Sequence, residues 1–344
     1  MKAVRLHAQH DIRIDEIEKP KPKAGEILIK IGAAGVCHSD IHLIESGIPA
    51  GAPAFTLGHE NAGWVEELGE GVTDFEVGDA VMVYGPWGCG HCQPCQQSME
   101  NYCEHQSESP VLGGGLGTNG GMAEYMIVPS SRLLVPLHDL HPEEVAPLSD
   151  AALTPYHAIK RSAGKITPSA FVLVIGIGGL GHMAVQILKQ LYSATIIAGD
   201  INDEKLELAK KYGADYVIRT DRDTDSIVEE ITRITGVKKC AVVLDFVGNK
   251  PTLTLGAQTV GLNGDWTVVG LGGGKLDWHC MNQPWGASLC TPYWGSRVEL
   301  MEVLDMKRKG IINIEYTTYP LSQALEVYDK LIKGQINGRA VLIP

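Results

Sequence analysis

Nothing in this chain approaches the roughly 18 or more consecutive apolar residues that a membrane-crossing helix requires, so a membrane-spanning role is not expected. The opening segment MKAVRLHAQHDIRIDEIEKP has charges breaking every apolar stretch and no signal-peptide core, which makes the cytoplasm the expected location. Positive charge is scarce too: 29 Lys and Arg stand against 41 Asp and Glu, a net charge of -12. Nucleic-acid binding draws most of its affinity from clustered Lys and Arg, so no nucleic-acid partner is expected. There is no internal repeat. The Gly-rich run GGGLGTNGG at 113–121 is the only low-complexity tract and reads as a flexible loop.

What is present fits a two-part globular protein. A chain of 344 residues is long for one simple core, and 44% hydrophobic with 20% charged residues lies in the range of folded domains. Residues 1–150 are rich in turns and short apolar runs, such as GEILIKIGAAG and GDAVMVYG. From about residue 165 the rhythm changes. The strand-like FVLVI (171–175), TIIAGD (195–200), CAVVLDFVG (240–248) and WTVVG (266–270) alternate with the helix-patterned DEKLELAKKYG and DSIVEEITRITG. Such alternation implies parallel strands with crossover helices. After about 288 the strand-like SLCTPYWG, the helical RVELMEVLDMKRKG and the apolar end GRAVLIP could extend that sheet or return to the first domain.

Gly176, Gly178, Gly179, Leu180 and Gly181 belong to a GxGxxG motif, a weak signal by itself in a chain with 40 glycines. Its context makes it specific. It directly follows the strand FVLVI and precedes the helical HMAVQILKQL, where a phosphate-binding turn must sit, with pyrophosphate on the positive end of the helix dipole. Asp200 follows 19 residues after Gly181, at the end of the next strand. Its carboxylate suits the adenosine ribose hydroxyls and repels a 2′-phosphate, and Ile201 and Asn202 bring no arginine to offset that repulsion, so NAD is expected rather than NADP.

Eight cysteines without an export signal suggest metal ligation or burial more than disulfides. Cys89, Cys92, Cys95 and Cys103 have C-x2-C-x2-C-x7-C spacing. Four thiolates this close can surround one zinc at about 2.3 Å and leave no open position, which describes a structural site. An iron–sulfur cluster and two disulfides remain as alternatives.

Cys37, Ser39 and His42 fall within GVCHSDIH, and His59 and Glu60 within LGHEN. Singly, each is unremarkable, since a lone His or Cys is more often packed than ligating. Together with the glycine turn, Asp200 and the quartet, they resemble the zinc-containing medium-chain alcohol dehydrogenases, with the bacterial secondary-alcohol dehydrogenases the nearest group. The resemblance covers essentially the whole chain and includes TLGHENAGWVEELGEGV, VGDAVMVYGPWGCG, DAALTPYHA and TPYWG.

That resemblance implies a GroES-like β-rich catalytic domain, residues 1–150 with 290–344, and a doubly wound Rossmann domain at 151–289. It implies two zinc ions and NAD per chain, a small alcohol or ketone substrate, and a homodimer or homotetramer. Cys37, His59 and Asp150 would hold a catalytic zinc with Glu60 as an occasional fourth ligand; many relatives have Cys at the Asp150 position. Three protein ligands leave a position for substrate, and a carboxylate in place of a thiolate makes the site harder. Ser39 would take the alcohol proton and pass it through the cofactor ribose to His42, which titrates near neutrality. Thr154 would pack beside the nicotinamide, Lys205 lie near the adenosine and Arg339 pair with the pyrophosphate. Tyr293 and Trp294 would wall the substrate pocket. The rival readings are a zinc-dependent polyol dehydrogenase and a non-catalytic, redox-sensing zinc and nucleotide-binding protein.

Overall fold

The computed structural model describes residues 1–106 and 112–344. The chain divides into two compact units, Met1–Leu153 with Ser296–Gly310 and Ile314–Pro344, and Thr154–Gly295 with Ile311–Asn313.

The first unit is built mainly on antiparallel strands, with one parallel pair, Tyr316–Pro320 and Arg339–Ile343. Its larger sheet runs Tyr316–Pro320, Arg339–Ile343, Ile27–Val36, Glu60–Leu68, Ala80–Val83 and Leu134–Pro136, with Tyr125–Val128 also pairing with Ile27–Val36. The long strand Ile27–Val36 is buried at every position but Lys30, as expected of a strand covered on both faces. A three-stranded sheet centred on Lys2–Ala8 stands beside it. Val4, Leu6, Val36, Leu57, Met122 and Tyr328 are among the side chains that close the core of this unit.

The GGGLGTNGG run is not a flexible loop. Gly113, Gly114, Gly115, Gly120 and Gly121 are buried, and isolated bridges join Pro86 to Gly113 and Gly114 to Thr118. Glycine is needed here for close approach: a Cβ on Gly115 would lie 2.3 Å from the Gly58 carbonyl oxygen.

The second unit is a six-stranded parallel sheet ordered Tyr216–Arg219, Thr195–Asp200, Phe171–Ile175, Cys240–Asp245, Val260–Val268, Ser288–Cys290. Numbered within the unit this is 3-2-1-4-5-6, the doubly wound dinucleotide order. Its helices have readable causes. Helix Asp203–Lys211 begins where the Asn202 side chain accepts from the backbone of Glu204 and Lys205. Helix Thr224–Thr235 is capped by Asp223 and buries Ile227 and Ile231, four residues apart on one face. The ambiguous C-terminal stretch does both things: Ser288–Cys290 extends the parallel sheet, while helix Arg297–Arg308, started by a Ser296–Glu299 capping box, and the final strand belong to the first unit. Among the described residues no helix is long and apolar enough to cross a membrane.

Candidate active site

Four side chains distant in sequence converge inside the first unit. Cys37 sits at the N-cap of helix His38–Ser46, and the Asp40 carboxylate accepts from its backbone N–H at 3.0 Å. Gly58, at φ +98, turns the chain just before His59 and before Glu60, the first residue of the next strand, both of them buried; a Cβ on Gly58 would strike Met122 at 2.6 Å. Asp150 ends the 3-10 turn Ala146–Ser149. The ligating atoms of Cys37, His59, Glu60 and Asp150 lie within 4.8 Å of one another, and all four residues are buried.

The distances suit one small cation. Cys37 Sγ is 3.5 Å from Asp150 Oδ2, and His59 Nε2 is 3.9 Å from the same oxygen. Donors placed at zinc-ligand distances on a tetrahedron stand roughly 3.3 to 3.8 Å apart. Three of the four donors are acidic groups and two of them carboxylates, a combination that stays buried only when paired with positive charge. Arg339 supplies part of it, bonding both oxygens of Glu60 and reaching Asp150 Oδ2 at 3.2 Å. Burial pushes Glu60 up to about 7 against the pull of Arg339. For His59, burial works downward, but the Asp40 carboxylate and Cys37 outweigh it and raise the imidazole well above its usual value. The surroundings of His59 therefore favour positive charge at this point.

The Cys quartet forms a second centre. Cys89 Sγ lies 3.9 Å from Cys95 Sγ, and Cys92 Sγ 3.9 Å from Cys103 Sγ. These separations are far too long for disulfide bonds at about 2.05 Å, and they match the roughly 3.8 Å edge of a tetrahedron of sulfurs about a zinc. Backbone N–H groups of Cys89 and His105 point at Cys103 Sγ, and that of Cys92 at Cys89 Sγ, as anionic sulfur requires. Burial raises Cys89, but the N–H groups of His91 and Cys92 outweigh it and hold the thiol down to about 6.

In the second unit the glycine turn joins strand Phe171–Ile175 to helix Gly181–Leu191. Gly181 allows close passage of the two segments, since a Cβ there would meet the Gly176 carbonyl oxygen at 1.9 Å. A Cβ on Gly178 would meet nothing within 4 Å, so this glycine keeps a face of the turn open rather than serving protein packing. That bare backbone beside a helix N-terminus is what a pyrophosphate needs. Leu180 occupies the N-cap and Gly179 is half-buried beside it. Asp200 accepts from the Ile177 N–H at 2.7 Å and the Asn202 N–H at 3.0 Å, which ties the second strand end to the turn.

Comparison with known proteins agrees with this geometry. Residues 23–139 match the alcohol dehydrogenase GroES-like domain, and residues 179–306 match the zinc-binding dehydrogenase family. The chain is 36% identical to the NAD-dependent alcohol dehydrogenase of Sulfurisphaera tokodaii, with 100% of both chains covered. This chain belongs to the zinc-binding alcohol dehydrogenases. An alcohol dehydrogenase of Geobacillus stearothermophilus is 36% identical with 96% of each chain covered. Among solved structures, the alcohol dehydrogenase of Aeropyrum pernix superposes with a TM-score of 0.91 at 35% identity, covering 100% of both chains. These relatives do not favour the polyol alternative.

The other residues expected in a dehydrogenase site fall as follows. Ser39 Oγ is 3.6 Å from Cys37 Sγ, and His42, half-exposed on the same helix, has Nδ1 3.9 Å from Glu45 Oε2. Thr154 is buried at the start of the second unit, and Lys205 is half-buried in the first turn of its helix. Tyr293 and Trp294 pack edge to face with ring centres 5.9 Å apart, and Trp294 is buried. Arg339, expected beside the pyrophosphate, is 4% exposed, and its guanidinium bonds Glu60 and Asp150.

Sequence reasoning missed Asp40. Fully buried, it places Oδ1 3.2 Å from His59 Nδ1 while Oδ2 accepts from Cys37, so one carboxylate orients two donors of the cluster. Carboxylates behind metal-bound imidazoles do this generally. The available signal was its place three residues after Cys37, at the N3 position of the helix. Gly35 was missed as well: a Cβ there would lie 1.9 Å from Glu60 Oε2.

Proposed function

We propose that the protein catalyses reversible, zinc-dependent hydride transfer between small primary or secondary alcohols and their aldehydes or ketones, with NAD(H) as cofactor. The observation that carries this reading is the buried convergence of Cys37, His59 and Asp150, with Glu60 behind them. In this reading Cys37, His59 and Asp150 hold a catalytic zinc, Glu60 is an occasional further ligand, and Cys89, Cys92, Cys95 and Cys103 hold a structural one. Zinc supplies Lewis acidity toward the substrate oxygen and NAD supplies the hydride acceptor.

The protein's own groups do the rest. Asp40 keeps His59 oriented. Ser39, beside Cys37, accepts the alcohol proton, and His42, one helical turn on and open to water, releases it. The zinc sites belong to the domain 1–150 with 290–344 and the cofactor to 151–289. Gly176, Gly178, Gly179, Leu180 and Gly181 cradle pyrophosphate, Asp200 reads the ribose, and Thr154 and Lys205 line the nicotinamide and adenosine ends. NAD is favoured over NADP because Arg219, which pairs with Asp200 across the ladder, is already engaged by Asp203 and Asp221. A homodimer or homotetramer in the cytoplasm belongs to the same reading.

The test is NADH absorbance with simple secondary alcohols and with sugar alcohols. Turnover is expected on the former, and Cys37→Ser should abolish it with NAD affinity nearly intact. Exclusive sugar-alcohol activity, or full activity of Cys37→Ser, would overturn the assignment.

A further inference from the structure

Two imidazoles flank the cysteine quartet. His91 lies in the Cys89–Cys92 loop and His105 two residues beyond Cys103. Ligating atoms of Cys89, His91 and His105 lie within 4.8 Å of one another, and the two imidazole rings are 5.3 Å apart with planes tilted 34°. Cys89 is the one member of the quartet that is not buried; His91 is exposed and His105 half-buried. The trio therefore faces outward from a centre whose other three sulfurs face inward.

The backbone contact of His91 suits the tautomer a metal needs. Its Nδ1 sits 3.1 Å from the Cys89 carbonyl oxygen. A carbonyl can only accept, so this contact favours the neutral tautomer with its proton on Nδ1, which leaves Nε2 a lone pair. Metal-bound histidines are held in just this way, with the second ring nitrogen donating to a backbone carbonyl or carboxylate.

We propose that Cys89, His91 and His105 bind a further zinc ion on the outer side of the quartet, with the Cys89 thiolate bridging it to the structural zinc. A thiolate has lone pairs for two metals, and one sulfur with two imidazoles selects a borderline ion over magnesium or calcium. Three protein donors leave a coordination position to water, so this ion exchanges more readily than the one enclosed by four sulfurs. Nothing in the site depends on alcohol turnover, and its presence is independent of the catalytic assignment.

The experiment is equilibrium dialysis of the zinc-loaded protein against free zinc, with metal counted per chain, followed by addition of cobalt(II) to the zinc-loaded protein. The expected result is one zinc equivalent beyond the tightly held ions, lost in the His91→Ala/His105→Ala variant while the tight zinc content stays unchanged. Added cobalt should show a thiolate-to-cobalt charge-transfer band. No extra equivalent in the wild type, an extra equivalent that survives in the double variant, or bound cobalt without the sulfur band would each overturn the proposal. If the double variant loses its tight zinc, the wild-type cobalt spectrum and the single His91→Gln variant decide in the same way.

Discussion

Arg339 and Glu60 meet in the interior of the first unit, 279 residues apart in sequence, with Arg339 Nε 3.0 Å from Glu60 Oε2 and Nη2 bonded to Oε1. The pair is almost wholly out of water, at 4% and 0% side-chain exposure. Burying two charges together is close to neutral in free energy, whereas removing one leaves the other without compensation.

Arg339→Ala should therefore lower stability by about 3–5 kcal/mol, read as a shift in the urea midpoint. Arg339 also contacts Asp150, so zinc content should fall with it. A loss below about 1 kcal/mol would show that water reaches this pair.

Asp40→Asn keeps the size of the side chain but removes the charge facing His59 Nδ1. Outer carboxylates of this kind typically contribute 10–100-fold to metal affinity. Competition with a chelator should show a loss of about that size for one zinc, while the zinc in the cysteine quartet is unaffected.

Gly181→Ala forces a Cβ against the Gly176 carbonyl oxygen at 1.9 Å, where only backbone could give way. The turn must open. NAD affinity is expected to fall by about tenfold or more, equivalent to about 1.4 kcal/mol, with zinc content unchanged. Titration calorimetry measures both the affinity and any failure of this expectation.

Asp265 makes the second unit sensitive to acid. Burial raises its pKa, but hydrogen bonds from Lys165 and Ser288 outweigh burial and hold it below the ordinary 3.8. A carboxyl lowered in the folded state contributes stability that is complete above its unfolded pKa and lost as pH falls through the folded one. Wild type should exceed Asp265→Asn in stability at neutral pH, with the gap closing below about pH 4. A gap independent of pH would show that the contribution is not ionic.

Much of this was legible in the sequence because it is local. The strand, glycine turn and helix around Gly176–Gly181 are contiguous, and the cysteine quartet lies within fifteen residues, so spacing and local context point to the chemistry, although for the quartet they left an iron–sulfur cluster and disulfides open. Asp150 is different: it reaches Cys37 across 113 residues, and only the likeness to a known family pointed to it. Asp40 and Arg339 show what spacing does not carry. Each acts through a partner brought by the fold, His59 in one case and Glu60 in the other. The Gly113–Gly121 run was misread because glycine serves close packing as readily as flexibility, and composition does not distinguish the two.

The central claim is that Cys37, His59 and Asp150 share one metal ion, and zinc-edge anomalous diffraction from crystals of the protein tests it most directly. A peak is expected at about 2.0–2.3 Å from Cys37 Sγ, a His59 ring nitrogen and an Asp150 oxygen, separate from the peak inside the cysteine quartet. Anomalous signal in the quartet alone, with these three side chains holding no ion, would contradict the account.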